Sequence, residues 1–117
     1  MNTLKKTFCV LAVLFGFFGN LAAMAADFAC SPIEVAVYRN RIHVKCSASA
    51  NDGTATIWYW AVSTVEAHAA NRFLSTATTA LVSGRKLNFE FGPGDTSGQS
   101  FGCLAKDCRT PSRITIF

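Results

Sequence analysis

The side chains with the most chemistry to offer are four cysteines, two histidines and one aromatic run. Cys103 and Cys108 are separated by Leu104-Ala105-Lys106-Asp107. Thiolates at short spacing bind zinc, but this spacing is long for a metal knuckle, and neither a second cysteine pair nor a histidine follows it. No metal and no cofactor is expected. An oxidised pair fixing a local turn is expected instead, since exported chains keep their thiols bonded. Cys30 and Cys46 bracket a stretch of alternating residues, and a bond between them would clamp it. Four cysteines permit three pairings. Cys30–Cys46 with Cys103–Cys108 is favoured because the first strands can bring their outer ends together. The other two pairings need the termini adjacent, which a barrel also provides.

His43 and His68 are the candidates for general-base work. Around them the sequence carries no nucleophile elbow, no paired-histidine motif and no phosphate-cradling glycine loop. Both are therefore expected to be ordinary surface histidines, and the chain is not expected to be an enzyme. Trp58, Tyr59 and Trp60 are the candidate binding residues. Strand alternation puts Trp58 and Trp60 on one face and Tyr59 on the other. The tryptophans are either core or, facing outward, a stacking platform for a sugar ring or an anchor for a protein partner. Core is the expectation for at least one of them, given how small domains bury their aromatics.

The elements that must position these groups can be read from the alternation of residue types. Ile33, Val35 and Val37 alternate with Glu34, Ala36 and Tyr38, and Ile42 to Cys46 alternates again after Arg39-Asn40, which reads as a hairpin. Asn51-Asp52-Gly53 is a turn signal, and Thr54 to Val62 beyond it is rich in β-branched and aromatic residues. The period then becomes helical through Ala70, Phe73, Leu74, Ala77 and Leu81, after Ser63-Thr64-Val65-Glu66 in capping-box form. A helix over about 65–82 follows, ended by Gly84 and followed by Arg85 and Lys86 at the negative end of its dipole. Leu87, Phe89 and Phe91 alternate with polar neighbours in a fourth strand. Gly92 to Ser100 has loop composition, and Ile114-Thr115-Ile116 is a last short strand. Three strands, a helix and two strands is the element order of an OB-fold, a five-stranded Greek-key barrel. The alternative is an open α+β sandwich with the helix on one antiparallel sheet.

The start of the chain is an export signal: Lys5 and Lys6, an apolar run from Phe8 to Phe18, and Ala23-Met24-Ala25 as a small-x-small cleavage site. Gly16, Gly19 and Asn20 interrupt the run before it reaches the length of about 20 residues that a bilayer span needs. Cleavage of residues 1–25 leaves a single domain, 26–117, of 92 residues. It removes Cys9, so the remaining cysteines are even in number. It also removes two lysines, so nine basic residues face seven acidic ones and the net charge falls from +4 to +2. The basic residues left are scattered, which argues against a nucleic-acid partner. The expected location is the periplasm or exterior of a Gram-negative bacterium.

Several of these features together resemble one known family. They are the Cys30/Cys46 spacing, the tryptophan strand, a helix containing Ala70-Asn71-Arg72-Phe73-Leu74-Ser75-Thr76, the Ser83-Gly84-Arg85-Lys86-Leu87 exit into a strand, and the late Cys103-x4-Cys108. This layout resembles the B subunits of subtilase-cytotoxin-like and typhoid-toxin-like bacterial toxins, over nearly all of residues 26–117. The resemblance implies an OB-fold, two disulfides, a ring of five subunits and binding of cell-surface glycans. Only Ala26 to Ala29 precede Cys30 here, whereas that family has a longer leading segment holding part of its sugar site. No glycan-contacting residue is carried over by position. The expected function is a secreted, non-enzymatic binding module for a glycan. The alternative is a periplasmic structural or inhibitory protein that docks on another protein.

Overall fold

The computed structural model describes residues 25–117; the export signal expected over 1–25 lies outside them but for Ala25. Among the described residues seven strands and one helix follow in the order β1 (Ala26–Cys30), β2 (Pro32–Val37), β3 (Arg41–Asn51), β4 (Thr56–Ser63), α1 (Ala67–Ser83), β5 (Leu87–Phe91), β6 (Cys108–Arg109) and β7 (Arg113–Ile116). A short 3-10 turn spans Ser97–Phe101. The fold is mainly β with one helix, as expected.

The ladders form two sheets. One has the order β1-β5-β7 and the other β2-β3-β4-β6. All pairings are antiparallel except β4 with β6, where Tyr59 and Trp60 stand opposite Cys108 and Arg109. This corrects the expected single five-stranded closed barrel: among the described residues no ladder joins one sheet to the other. The reason lies in two bends. The chain leaves β1 for β2 at Ser31-Pro32, where proline has no amide to donate to a ladder. It leaves β6 for β7 over Thr110-Pro111-Ser112.

Trp60 is the centre of the core, fully buried. Its ring stacks on Phe28 at 5.7 Å and Phe89 at 4.8 Å and meets Phe91 edge-on at 4.8 Å. Phe28 comes from β1 and Phe89 and Phe91 from β5, so this aromatic cluster packs one sheet on the other. α1 closes the core with Ala70, Phe73, Ala77 and Ala80, at spacings that keep one face inward. Small residues at three of those four positions let the helix lie close to the strands, chiefly β2 and β7.

The helix begins two residues later than expected. Its N-cap is Glu66, whose carboxylate accepts from the amides of His68 and Ala69; Ser63 instead accepts from Val65 in the preceding turn. Gly84 ends the helix at φ 67, where a Cβ would be strained.

Both disulfides form with the favoured pairing, Cys30–Cys46 and Cys103–Cys108. Cys30 ends β1 and Cys46 lies in β3, so that bond runs between the two sheets. Cys103–Cys108 closes a short loop and packs with Ala61, Tyr59 and Phe101 in a second, smaller core.

Candidate functional site

Alternation along β3 turns Arg41, His43 and Lys45 to the side opposite Ile42 and Val44, which are in the main core. The same side of β4 holds Tyr59 and Ala61, because Lys45 pairs with Tyr59 and His43 with Ala61. From β2, Glu34 pairs with Lys45 and reaches diagonally to His43, whose Nε2 lies 2.7 Å from Glu34 Oε1. His43 is only 8% exposed, so the expectation of an ordinary surface histidine is corrected. The rings of Tyr38 and Tyr59, with centroids at 5.1 and 4.9 Å, cover it from either side.

The 102–108 segment folds over this face and makes a pocket of about 130 Å³, with Arg41, His43 and Tyr59 on the sheet side and Leu104, Asp107 and Cys108 on the loop side. Arg41 is held rather than free. Its guanidinium carbon sits 4.0 Å over the Tyr38 ring, and Gly102 makes room for it, since a Cβ there would lie 2.6 Å from Nη1. Its single hydrogen bond among the described residues is a 3.5 Å contact from Nη1 to Asn40 Oδ1, which leaves most of the five guanidinium donors unengaged. The backbone of Asp107 is also fixed, because its carbonyl accepts from the amides of both Trp58 and Tyr59, at 2.9 and 3.1 Å.

That shared acceptor decides where the three candidate aromatics go. Two successive amides on one carbonyl mark a bulge. On the other side of β4 the register also slips: Trp58 alone stands opposite Cys46 to Ser49, between the pairs Lys45–Tyr59 and Ala50–Ile57. The irregularity breaks alternation, so Ile57 and Trp60 both reach the main core while Tyr59 faces the pocket. Trp58 joins neither core cluster and is 38% exposed. The expected sharing of one face by Trp58 and Trp60 is therefore corrected: Trp60 is core, Tyr59 lines the pocket, and Trp58 stands outside both.

A second polar cluster is structural. Arg109 and the carboxylate of Asp52 are out of solvent and bonded at 2.8 Å. Asp52 also accepts from the amides of Thr54, Ala55 and Gly94 and from the Thr54 hydroxyl. Burial pushes its carboxyl up, but the bonds from Thr54, Gly94 and Arg109 outweigh burial and hold it well below the usual carboxylate range. Arg109 completes its own set with the carbonyls of Ala105 and Cys108 and with Thr54 Oγ1.

His68 sits exposed in the first turn of α1, on a different element from His43. Among the described residues no three His, Cys, Asp or Glu side chains are grouped to hold a metal ion, and no helix is long and apolar enough to cross a membrane. The pocket is bordered by no serine, threonine or free thiol, since Cys108 is in a disulfide. Tyr59, Arg41 and Asp107 border a space the size of one small ring, with Lys45 Nζ 5.7 Å from the Tyr59 ring centroid; an engineered cavity of about 150 Å³ holds benzene. No family model, curated protein or solved structure matches the chain. Arg41 and Asp107 were not singled out by sequence. The signal for Arg41 was present in the alternation of β3; that for Asp107 depends on a loop path.

Proposed function

We propose that the chain is an exported, non-enzymatic binding module that holds a glycan in the Arg41–His43–Tyr59 pocket. The observation that carries this reading is the fixed guanidinium of Arg41 opposite Asp107 beside an aromatic ring. Sugar hydroxyls need donors and acceptors at set positions, and a sugar's apolar face needs a flat aromatic surface.

The frame supports the same reading. Taking β1 with β2 as one strand bent at Ser31, and β6 with β7 as one strand bent at 110–112, the pairing order becomes cyclic. It runs from the first strand through β3 and β4 to the last strand, then β5, and back to the first. We read that order as OB-like connectivity, in which the face of the second and third strands and the loop before the last strand bind oligosaccharides or oligonucleotides. Here those parts are β3, β4 and the 102–108 segment. The resemblance to toxin B subunits adds a ring of five as the assembly, which the solution mass of the 26–117 chain tests.

The test is a glycan array probed with oxidised 26–117 protein, alongside Tyr59→Ala, Asp107→Asn and Trp58→Ala. Saturable binding that falls at least tenfold in the first two variants and persists in the third is the expected result. Absence of binding across the array, or binding indifferent to Tyr59, would count against the proposal. The exposure of Leu104, at 50%, and of Trp58, at 38%, favours a second reading, docking on a periplasmic protein. Its mark would be sugar-independent capture that Trp58→Ala abolishes.

A further inference from the structure

A separate cleft of about 380 Å³ lies between the first half of α1 and β7, within the size range of small-molecule sites. Its floor is apolar. Phe73 is 3% exposed, and Val62 and Ile114, packed against the main core, flank it.

Arg72 from α1 and Arg113 from β7 border the cleft, and no carboxylate borders it. The remaining polar groups there have their hydrogens committed elsewhere. Thr76 Oγ1 donates to the Arg72 carbonyl at 2.8 Å. The amide and hydroxyl of Ser112 both donate to the Glu90 carbonyl, at 2.7 and 3.1 Å, and Pro111 has no amide hydrogen. Arg72 makes no side-chain hydrogen bond or ion pair among the described residues, and Arg113 meets a carboxylate only through a 3.5 Å contact from Nε to Glu90 Oε2. Arg72 and Arg113 are thus the lining side chains with donors left over beside an apolar floor. A guanidinium fork matches a carboxylate in a bidentate fashion.

We propose that this cleft binds small organic carboxylates with an aromatic body, the carboxylate taken by Arg72 and Arg113 and the ring laid against Phe73 and Ile114. The inference stands apart from the glycan pocket, which is built from other residues. A neutral ligand of the same shape would keep the apolar contact and lose the charge-assisted hydrogen bonds.

The experiment is a titration of oxidised 26–117 protein with 1-naphthylacetate and with uncharged 1-naphthylacetamide, followed by backbone amide shifts. Expected are saturable shifts at Ala69, Phe73 and Ile114 with the acid, no shifts at Tyr59 or Leu104, and at least tenfold weaker binding of the amide. Arg72→Gln and Arg113→Gln should each weaken the acid at least tenfold and leave the amide unchanged. Both side chains lie on the surface, and an unshifted amide spectrum of the unliganded variants verifies their folding. Equal affinity for acid and amide, indifference to both substitutions, or no shifts at the cleft up to millimolar ligand overturns the proposal. None of these outcomes bears on glycan binding at Tyr59.

Discussion

Arg109 and Asp52 are both out of solvent, and a charge left there without its partner would be uncompensated. Truncating Asp52 to alanine should therefore lower stability by about 3–5 kcal/mol, read as a fall in the urea midpoint. The same pair sets an acid limit. Asp52's folded-state pKa is depressed, so its contribution is complete above the ordinary carboxylate value of about 3.9 and is lost as the pH falls below it. Asp95 adds to that loss, because the Ser97 amide and side chain hold its carboxyl low. Urea midpoints between pH 2 and 7 should be level above about pH 5 and drop below about pH 4, with a shallower drop in Asp52→Asn. Trp60 is the other residue on which stability turns. Trp60→Ala should cost about 3–5 kcal/mol and the half-exposed Trp58→Ala about 1 kcal/mol, measured by the same denaturation. Asn51-Asp52-Gly53 was readable as a turn because its side chains bond their own backbone. The partner that makes Asp52 a hub is Arg109, far along the chain, and no local pattern encodes that.

At the scale of elements, what could be read was what is periodic. α1 announced itself through Ala70, Phe73 and Ala77, and β5 through Leu87, Phe89 and Phe91, because each buries one face continuously. β1 and β6 did not, the former because five residues beside a bend offer little alternation, the latter because two residues offer none. β4 was readable as a strand but its facing was not, since the two amides on Asp107 O displace Trp58 from the face of Trp60. The two disulfides constrain elements unequally. Their sequence separations are 16 and 5, and loop closure predicts about 3 kcal/mol for the longer and about 2 kcal/mol for the shorter. Serine replacement of Cys30 with Cys46 should thus lower the thermal midpoint more than replacement of Cys103 with Cys108. The second pair should instead loosen the pocket wall at Leu104 and Asp107, seen as increased amide mobility there.

For the whole molecule, composition and element order indicated a small, mainly β domain stapled by sulfur, and that is the architecture. They did not reveal that the ladders stop at two bends, because sheet closure depends on how Ser31-Pro32 and residues 110–112 turn in space. The pocket needs all of this at once: β2 for Glu34, β3 and β4 for the floor, and the loop beyond β5 for the roof. Cys30–Cys46 has a dynamic consequence. Joining sheets that share no ladder, it makes their openings concerted. In native-state hydrogen exchange, amides of Phe28 in one sheet and Val44 in the other should report the same opening free energy while the bond is intact. Once it is cut, the three-stranded sheet should acquire an opening of lower free energy of its own, and the molecule would exchange as two units instead of one.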